Sequence, residues 1–260
     1  MMKLIACELF RLRRSRILLI IAIAMCAFGV ALADPGVLAD QPPVPDMPGD
    51  VQGIFMAEAA DAGFALLLFG NIAAAYLLGS QFSERTIGHD VMSGHSRSEV
   101  FGSRCLTCVF LPVALTLLAL IAGIARNAFI LPPIQPFAFA YFLRTAALLI
   151  PLYAALAAPV ALIIAGFRDT ARSTAAVVVY MLLVLWSFSV LMHFSPVVPG
   201  TVYTDDPGIL LMLHPVFLVR WILRSDLGVV QMAVAVVVSL GWTAAFVGAS
   251  WAVLRRCEMK

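Results

Sequence analysis

The most polar internal stretch of the sequence is segment 83–104, which combines two histidines, several serines and both signs of charge. Its pattern predicts two short helical pieces broken at Gly94. Ser96 is placed to cap the second piece, and Glu99, three residues later, completes a capping box. Both pieces also carry apolar side chains that a solvated loop does not need: Val91, Met92, Val100 and Phe101. The chemistry favoured here is recognition, so we expect the segment to dock on another macromolecule in the cytoplasm.

The sequence holds no motif for hydrolysing nucleotides or binding metal. A P-loop needs a lysine directly after a glycine to reach the phosphates, and neither of the two lysines, Lys3 and Lys260, follows glycine. The G-x-S-x-G and H-E-x-x-H patterns are also absent. Cys105 and Cys108 form a C-x-x-C pair with no second pair. We therefore expect no enzyme activity, no metal and no cofactor in this chain.

One enzymatic alternative comes from 93–97, which resembles the P-S-G-H and S-R motifs of membrane phosphatidate-type phosphatases. The resemblance fails at three points. Met92 stands where that family has proline, and no arginine is followed by proline as its K-x6-R-P motif requires. The next histidine, His193, is expected on the opposite side of the membrane. Phosphatase chemistry is therefore not favoured.

The elements that position this segment follow from the composition. Hydrophobic residues make up 62% and charged residues 12% of the 260 residues, whereas soluble domains have about 45–50% and about 25%. The few polar side chains cannot cover a soluble surface, and a net charge of +2 provides no basic face for nucleic acid. Soluble enzymes, disordered chains and nucleic-acid-binding proteins are excluded, and a polytopic membrane protein remains.

Six hydrophobic runs are long enough to span a bilayer, because about 20 apolar residues cross its hydrocarbon core. We expect an all-α protein with a single transmembrane domain, 1–260, and with spans near 17–33, 62–82, 105–125, 139–165, 174–192 and 229–253. The first run resembles a signal peptide, since arginines precede it and 31–33 reads as a cleavage site. Five later spans need an anchor, which favours an uncleaved first span.

Residues 1–16 predict a separate helix before the first span. Ile5, Leu9 and Leu12 recur at helical spacing, whereas Glu8 and Arg11 lie mostly elsewhere on the helix. This pattern favours a helix lying flat in the cytoplasmic interface, with its arginines near anionic headgroups. The alternative, that these charges serve only to fix topology, is compatible with it.

The basic residues set the orientation. With the N-terminus inside, 13 of the 17 basic residues are cytoplasmic: Lys3, Arg11, Arg13, Arg14, Arg16, Arg85, Arg97, Arg104, Arg168, Arg172, Arg255, Arg256 and Lys260. The positive-inside rule then predicts a multi-pass protein of the cytoplasmic (inner) cell membrane with both termini inside. Outside lies the acidic, proline-rich segment 34–61, which is expected as a solvated connector, with a substrate-capturing loop as the less favoured alternative. Segment 193–228 is also outside, and its short apolar part is expected to be interfacial or re-entrant.

Polar residues inside the spans are candidates for lining a transport pathway. They are Asn71, Tyr76 and Arg144. Asn71 also suits a hydrogen bond to a neighbouring helix, and Arg144, near the outer end of its span, also suits snorkelling to the headgroups.

Glu84, the pair Thr86-Ile87 and the turn 94–97 together resemble the first cytoplasmic loop of ABC transporter permeases of the ABC-2 exporter class. That loop reads as an acidic residue, then G-T-[IL]-R-x-x-[IL], then G-x-S-R before the next span. The layout is similar as well, with an interfacial N-terminal helix, six spans, both ends inside and an irregular outer segment before the last span. The sequence departs from the family at Arg85, often glycine there, and at His89-Asp90, where Arg-Asn is common.

The resemblance implies that 84–99, within loop 83–104, is a coupling helix held in a groove of a separate, dimeric ATPase subunit that binds ATP and Mg. The contact residues that it implies are Glu84, Arg85, Thr86, Ile87, Gly88, His89, Gly94, His95, Ser96, Arg97 and Glu99. The turn 166–173 is implied as a lesser contact through Arg168, Asp169 and Arg172, or is a plain positive-inside turn.

The same resemblance implies a second permease subunit, identical or paralogous, and export of a peptide, a lipid or a drug-like substrate. The runner-up is a non-transporting membrane scaffold or sensor that binds a cytoplasmic partner through the same loop.

The orientation is tested by labelling single cysteines in intact cells with an impermeant thiol reagent. We expect Asp46→Cys to be labelled, because it lies in the outer acidic segment, and Arg97→Cys to be protected, because the basic loop lies inside. The four outer basic residues, Arg126, Arg144, Arg220 and Arg224, are too few to reverse this bias. The opposite labelling pattern would overturn both the topology and the cytoplasmic docking loop.

Overall fold

The computed structural model describes residues 2–32, 51–84, 92, 94, 96–130, 139–194, 209–223 and 227–256. Within these residues the chain is helical and contains no strand, so the all-α fold class is confirmed. The helices in chain order are α1 (Met2–Arg14), α2 (Arg16–Leu32), α3 (Val51–Ser83), α4 (Arg97–Ile130), α5 (Phe139–Phe167), α6 (Thr170–Phe194), α7 (Ile209–Met212), α8 (Pro215–Trp221) and α9 (Val229–Arg256).

In the described part of the chain, five helices contain a stretch long and apolar enough to cross a bilayer: Ala62–Ser83, Ser98–Arg126, Leu143–Phe167, Thr170–Leu191 and Val229–Arg255. The second to sixth predicted spans fall on these helices, and the chain is a multi-pass helical membrane protein. Two helices are longer than predicted. Helix α3 begins at Val51, inside the expected outer connector, and α4 begins at Arg97, inside the expected cytoplasmic loop.

The first two helices meet at a sharp bend. Helix α2 has 17 residues, and it counts as a sixth span only when it is taken together with α1, from which it is bent by 74°. Ser15 lies at the bend and caps α2, because its Oγ accepts a hydrogen bond from the backbone N of Leu18 (3.3 Å). Near the other end of α2, Nη1 of Arg126 donates to Val30 O (2.7 Å) and ties α2 to α4.

Helix α3 packs against α4, α5 and α6. A Cβ built on Gly70 would lie 3.1 Å from Cα and O of Pro112, so the backbones of α3 and α4 approach each other closely there. Lipid supplies no hydrophobic drive for helix association, and small residues at the contact make such close packing possible. Three consecutive alanines, Ala73, Ala74 and Ala75, are buried along the same helix.

Two clusters of buried apolar side chains fill the bundle. One joins α1, α2, α3, α4, α5, α6 and α9 around Leu78, Phe101 and Ile164. The other lies around Leu67, Tyr153 and Phe217, and it takes in α7 and α8. The short apolar stretch of segment 193–228 therefore forms two helices far shorter than a span, and α8, whose apolar side chains are buried, packs against α5.

His214 lies between α7 and α8 and holds this turn against α6. Its Nε2 lies 3.0 Å from Oγ of Ser187 on α6, and its ring is tilted against Phe188 at 5.8 Å between centroids. Trp242 Nε1 of α9 donates to Leu213 O (3.0 Å) beside it. Burial lowers the pKa of His214 below its usual value, which favours the neutral imidazole.

The contact between Gly63 on α3 and Tyr153 on α5 gives a test of this packing. A Cβ on Gly63 would collide with Oη of Tyr153, which is a buried hydroxyl. We expect Gly63→Ala to destabilise the protein by about 1–3 kcal/mol, the usual result of overpacking. The measurement is the midpoint of thermal unfolding in detergent.

Gly241→Ala is the matched control, because a Cβ at Gly241 on α9 meets nothing within 4 Å. Removing the hydroxyl with Tyr153→Phe should restore part of the loss in the Gly63→Ala background. If the two glycine variants melted alike, the close approach of α3 and α5 would be wrong.

Candidate functional site

Segment 83–104 is the expected docking segment, and the structure describes its residues 83, 84, 92, 94 and 96–104. The turn before Arg97 leads into α4. Gly94 has a φ of 96°, in the left-handed region that side chains disfavour. The predicted capping box is present. Glu99 N donates to Ser96 Oγ (3.3 Å), and Glu99 Oε2 accepts from Ser96 N (3.3 Å) and from Ser96 Oγ (2.9 Å). The cap satisfies backbone groups at the start of α4, and Gly94 permits the change of direction just before it.

The segment differs from the prediction in which apolar side chains it exposes. Met92 is 76% exposed and free to contact a partner. Val100 and Phe101, by contrast, are buried in the bundle, so the expectation that they offer apolar contacts to a partner is wrong. They face inward because they lie in the first two turns of α4, which continues directly into a span. Arg85, Thr86, Ile87, Gly88, His89 and His95, with Val91, lie outside the described residues, as does the side chain of Arg97.

Immediately beyond the cap lies a buried ionic cluster. Arg104, 4% exposed, forms a close ion pair through Nη1 with Oε2 of Glu8 on α1, which is 5% exposed. Gln81, near the end of α3, donates from Nε2 to the same carboxylate oxygen (3.4 Å). Arg11 Nη1 lies 4.0 Å from the other oxygen. Three helices, α1, α3 and α4, therefore meet at one carboxylate.

The ionic cluster was not found from the sequence. Glu8 reads as part of a polar helix face, Gln81 as the polar end of a span, and Arg104 as one cytoplasmic charge among many. One signal was available, since Glu8 is the only acidic residue among the first 33 and stands among basic ones. A lone acid in such a segment suggests a specific partner, but nothing in the local pattern says that the partner is 96 residues away.

The turn between α5 and α6 lies beside the end of α3. Asp169 Oδ1 accepts from the backbone N of Arg172 (2.8 Å) and so caps α6. Arg168 has a φ of 51° and donates from Nε to Ala165 O (3.4 Å) at the end of α5. Ser83 Oγ lies 3.1 Å from Oγ1 of Thr170, which joins the turn to α3 just before Glu84. The structure thus brings the end of α3 and the turn between α5 and α6 together.

The three candidate pathway residues lie in different environments. Asn71 is fully buried and donates from Nδ2 to Met181 Sδ on α6 (3.4 Å), which is a helix-packing contact. Tyr76, also on α3, is 44% exposed. Arg144 is half-buried on α5, at the start of its spanning stretch. They do not form one site in the described structure.

Among the described residues, no group of three or more histidine, cysteine, aspartate and glutamate side chains comes together in a way that suits a metal ion. Cys105 and Cys108 are both buried on α4 as free thiols.

Fold and site together define an all-helical, multi-pass membrane protein with a capped turn and a buried ionic cluster at one end. No protein-family model matches the sequence. No curated protein matches it either.

The ionic cluster makes a direct prediction for stability. Glu8→Gln leaves the guanidinium of Arg104 buried without its countercharge, and breaking a buried pair from one side commonly destabilises a protein by about 3–5 kcal/mol. We expect a correspondingly large fall in the thermal unfolding midpoint in detergent. Arg11→Gln, on the same helix but exposed, should change stability by less than about 1 kcal/mol.

The double variant Glu8→Gln with Arg104→Gln removes both charges. It should be less destabilised than the sum of the two single variants, because neither charge is then stranded. Additive losses, or equal effects of Glu8→Gln and Arg11→Gln, would contradict the buried pair.

Proposed function

We propose that the chain is the membrane-spanning permease subunit of an ABC transporter of the ABC-2 exporter class. In this proposal both termini and segment 83–104 are cytoplasmic, and a separate ATPase subunit docks on 84–99. The observation that carries the proposal is the capped break at 94–99, which leads directly into the buried cluster of Glu8, Gln81 and Arg104. A surface loop with no mechanical role needs neither a capped turn at its end nor a buried ion pair on the helix that follows.

Movement of the docking segment would reach several helices at once. A displacement at the start of α4 acts on Arg104, because the residue is only five positions beyond Glu99 on the same helix. Arg104 is paired with α1 through Glu8, and Gln81 links the same carboxylate to α3. Closure of an ATPase dimer with bound ATP and Mg would thus be transmitted through a contiguous set of contacts, as mechanical coupling requires.

The N-terminal helix is proposed to lie in the cytoplasmic interface, with α2 as the sixth span. The 74° bend at Ser15 suits a change from an interfacial to a spanning direction. The exposed side of α1 carries Arg11, Arg13 and Arg14 together with Phe10, which is 65% exposed. This combination suits the headgroup region, where cations meet anionic lipid and an aromatic ring enters the acyl boundary.

A second permease subunit, identical or paralogous, is part of the proposal because six spans would form half of a pathway. Little of the spanning stretches of α6 and α9 is buried in the chain itself, 17% and 11% respectively. Their apolar surfaces are available to lipid and to that second subunit. The exported substrate is a peptide, a lipid or a drug-like molecule.

The ATPase partner and its docking segment are tested by affinity purification from native membranes in mild detergent. We expect the parent chain to retain a P-loop ATPase and to stimulate its ATP hydrolysis. Glu84→Ala with Arg97→Ala should reduce retention or hydrolysis at least roughly tenfold, since truncating one side of an interfacial charge pair commonly costs about 2–5 kcal/mol. The chain alone should not bind ATP, because it has no Gly-Lys pair for the phosphates.

The matched control is Asp40→Ala with Asp46→Ala, which removes two charges from the outer segment and should change neither quantity. Both double variants should insert in the membrane and unfold at the parent's temperature. If Glu84→Ala with Arg97→Ala kept the ATPase and its activity, the coupling segment would be wrong. If the parent retained a cytoplasmic protein without ATPase activity, the scaffold or sensor reading would replace the transporter.

A further inference from the structure

A cavity lies where the first turn of α4 meets the last turns of α9. Ser98, Phe101, Trp251 and Arg255 line it, and its volume is about 440 Å³. Binding sites for small ligands commonly occupy about 300–1,000 Å³. Trp251 is 40% exposed and Arg255 is exposed, so the cavity opens to the outside of the bundle and not toward its centre. Ser98 belongs to segment 84–99, whereas Phe101, Trp251 and Arg255 lie outside it.

The lining combines a cation with apolar surface. The guanidinium carbon of Arg255 lies over the ring of Trp251, 5.2 Å from its centroid, and this cation–π contact holds the charge at the wall of the cavity. Ser98 adds a hydroxyl from the first turn of α4, where the helix dipole is positive, and its Oγ lies 3.3 Å from Oγ of Ser96. Phe101, 4% exposed, gives an apolar wall. The nearby carboxylate of Glu99 points back to Ser96 and accepts hydrogen bonds from its backbone N–H and its hydroxyl.

An exposed apolar face of α9 leads away from the cavity along the span. Val237, Leu240 and Trp251 are exposed large side chains on the side of the helix that also carries Arg255. Between them Gly248 meets nothing within 4 Å, so the helix surface is open directly below Trp251. At a rise of about 1.5 Å per residue, Gly248 lies roughly 10 Å from Arg255 along the axis. A polar head at Arg255 can therefore continue into an apolar tail over Gly248.

We propose that this cavity binds an anionic phospholipid. The lipid belongs to the cytoplasmic leaflet, on the same side of the membrane as segment 84–99. The phosphate contacts Arg255 and the hydroxyl of Ser98, the glycerol region lies against Phe101 and Trp251, and an acyl chain follows α9 past Gly248. Basic pockets between spanning helices at the cytoplasmic side suit such headgroups. The inference uses the membrane placement of α4 and α9 from the proposed function and is independent of the ATPase.

The test is native mass spectrometry of the full chain in detergent, with equimolar phosphatidylglycerol and phosphatidylcholine of identical acyl chains. We expect selective retention of phosphatidylglycerol. Arg255→Gln should lower that retention about fivefold, which corresponds to the contribution of one arginine near an anionic headgroup. Arg255→Lys should keep most of the selectivity. Arg172→Gln, an exposed arginine at the start of α6, is the matched control and should retain lipid like the parent.

Two further arms identify the occupant. Gly248→Leu fills open space and should lower retention of both lipids, because it obstructs the acyl chain and leaves the headgroup contacts intact. Excess inorganic phosphate should not displace the lipid. Equal retention of the two lipids, or an Arg255→Gln variant indistinguishable from Arg172→Gln, would overturn the site. Full displacement by inorganic phosphate, or no effect of Gly248→Leu, would overturn the assignment to a lipid. Since no ATPase is present, failure here leaves the proposed function untouched, and failure to find an ATPase leaves this site untouched.

Discussion

The carboxylate of Glu8 imposes a constraint on the packing around it. A single charge transferred from water into a low-dielectric interior loses several kcal/mol of solvation, and only a close countercharge with further hydrogen bonds compensates for it. Arg104 and Gln81 supply these on α4 and α3. Moving α1 away from the bundle, or rotating α4 about its axis, would therefore separate this buried ion pair.

Close backbone packing also restrains α3 farther along the bundle, away from the ion pair. Helix α3 carries Gln81 near its end, approaches α4 at Gly70, and meets α5 at Gly63. Hydrogen bonds between helices in lipid are individually modest, so the contact of Asn71 with Met181 is less important than the shape of the helix surfaces. Helix α3 is therefore held at three levels against different neighbours.

The sequence predicts the helices well and the contacts between them poorly. Hydropathy locates the five helices of spanning length because lipid imposes the same requirement on every spanning segment. The capping box of Ser96 and Glu99 was predictable because both residues lie within one turn. The ion pair of Glu8 with Arg104 was not, since it depends on how two helices pack. The burial of Phe101 was missed for the same reason, because an apolar side chain beside a polar loop reads equally well as a surface contact.

The first turn of α4 lies between two different surfaces. On one side, Ser96 and Glu99 close the cap that follows Gly94, and on the other, Ser98 and Phe101 line the cavity that Arg255 shares. A ligand in the cavity and a partner on segment 84–99 would both act on the first turn of α4. If the two binding events are coupled, thermodynamic linkage makes the coupling reciprocal. A lipid that strengthens partner binding by some factor has its own binding strengthened by the partner by the same factor. Because α4 is tied at Arg104 just beyond this turn, such coupling would not end at the membrane surface but would extend into the bundle through α1 and α3.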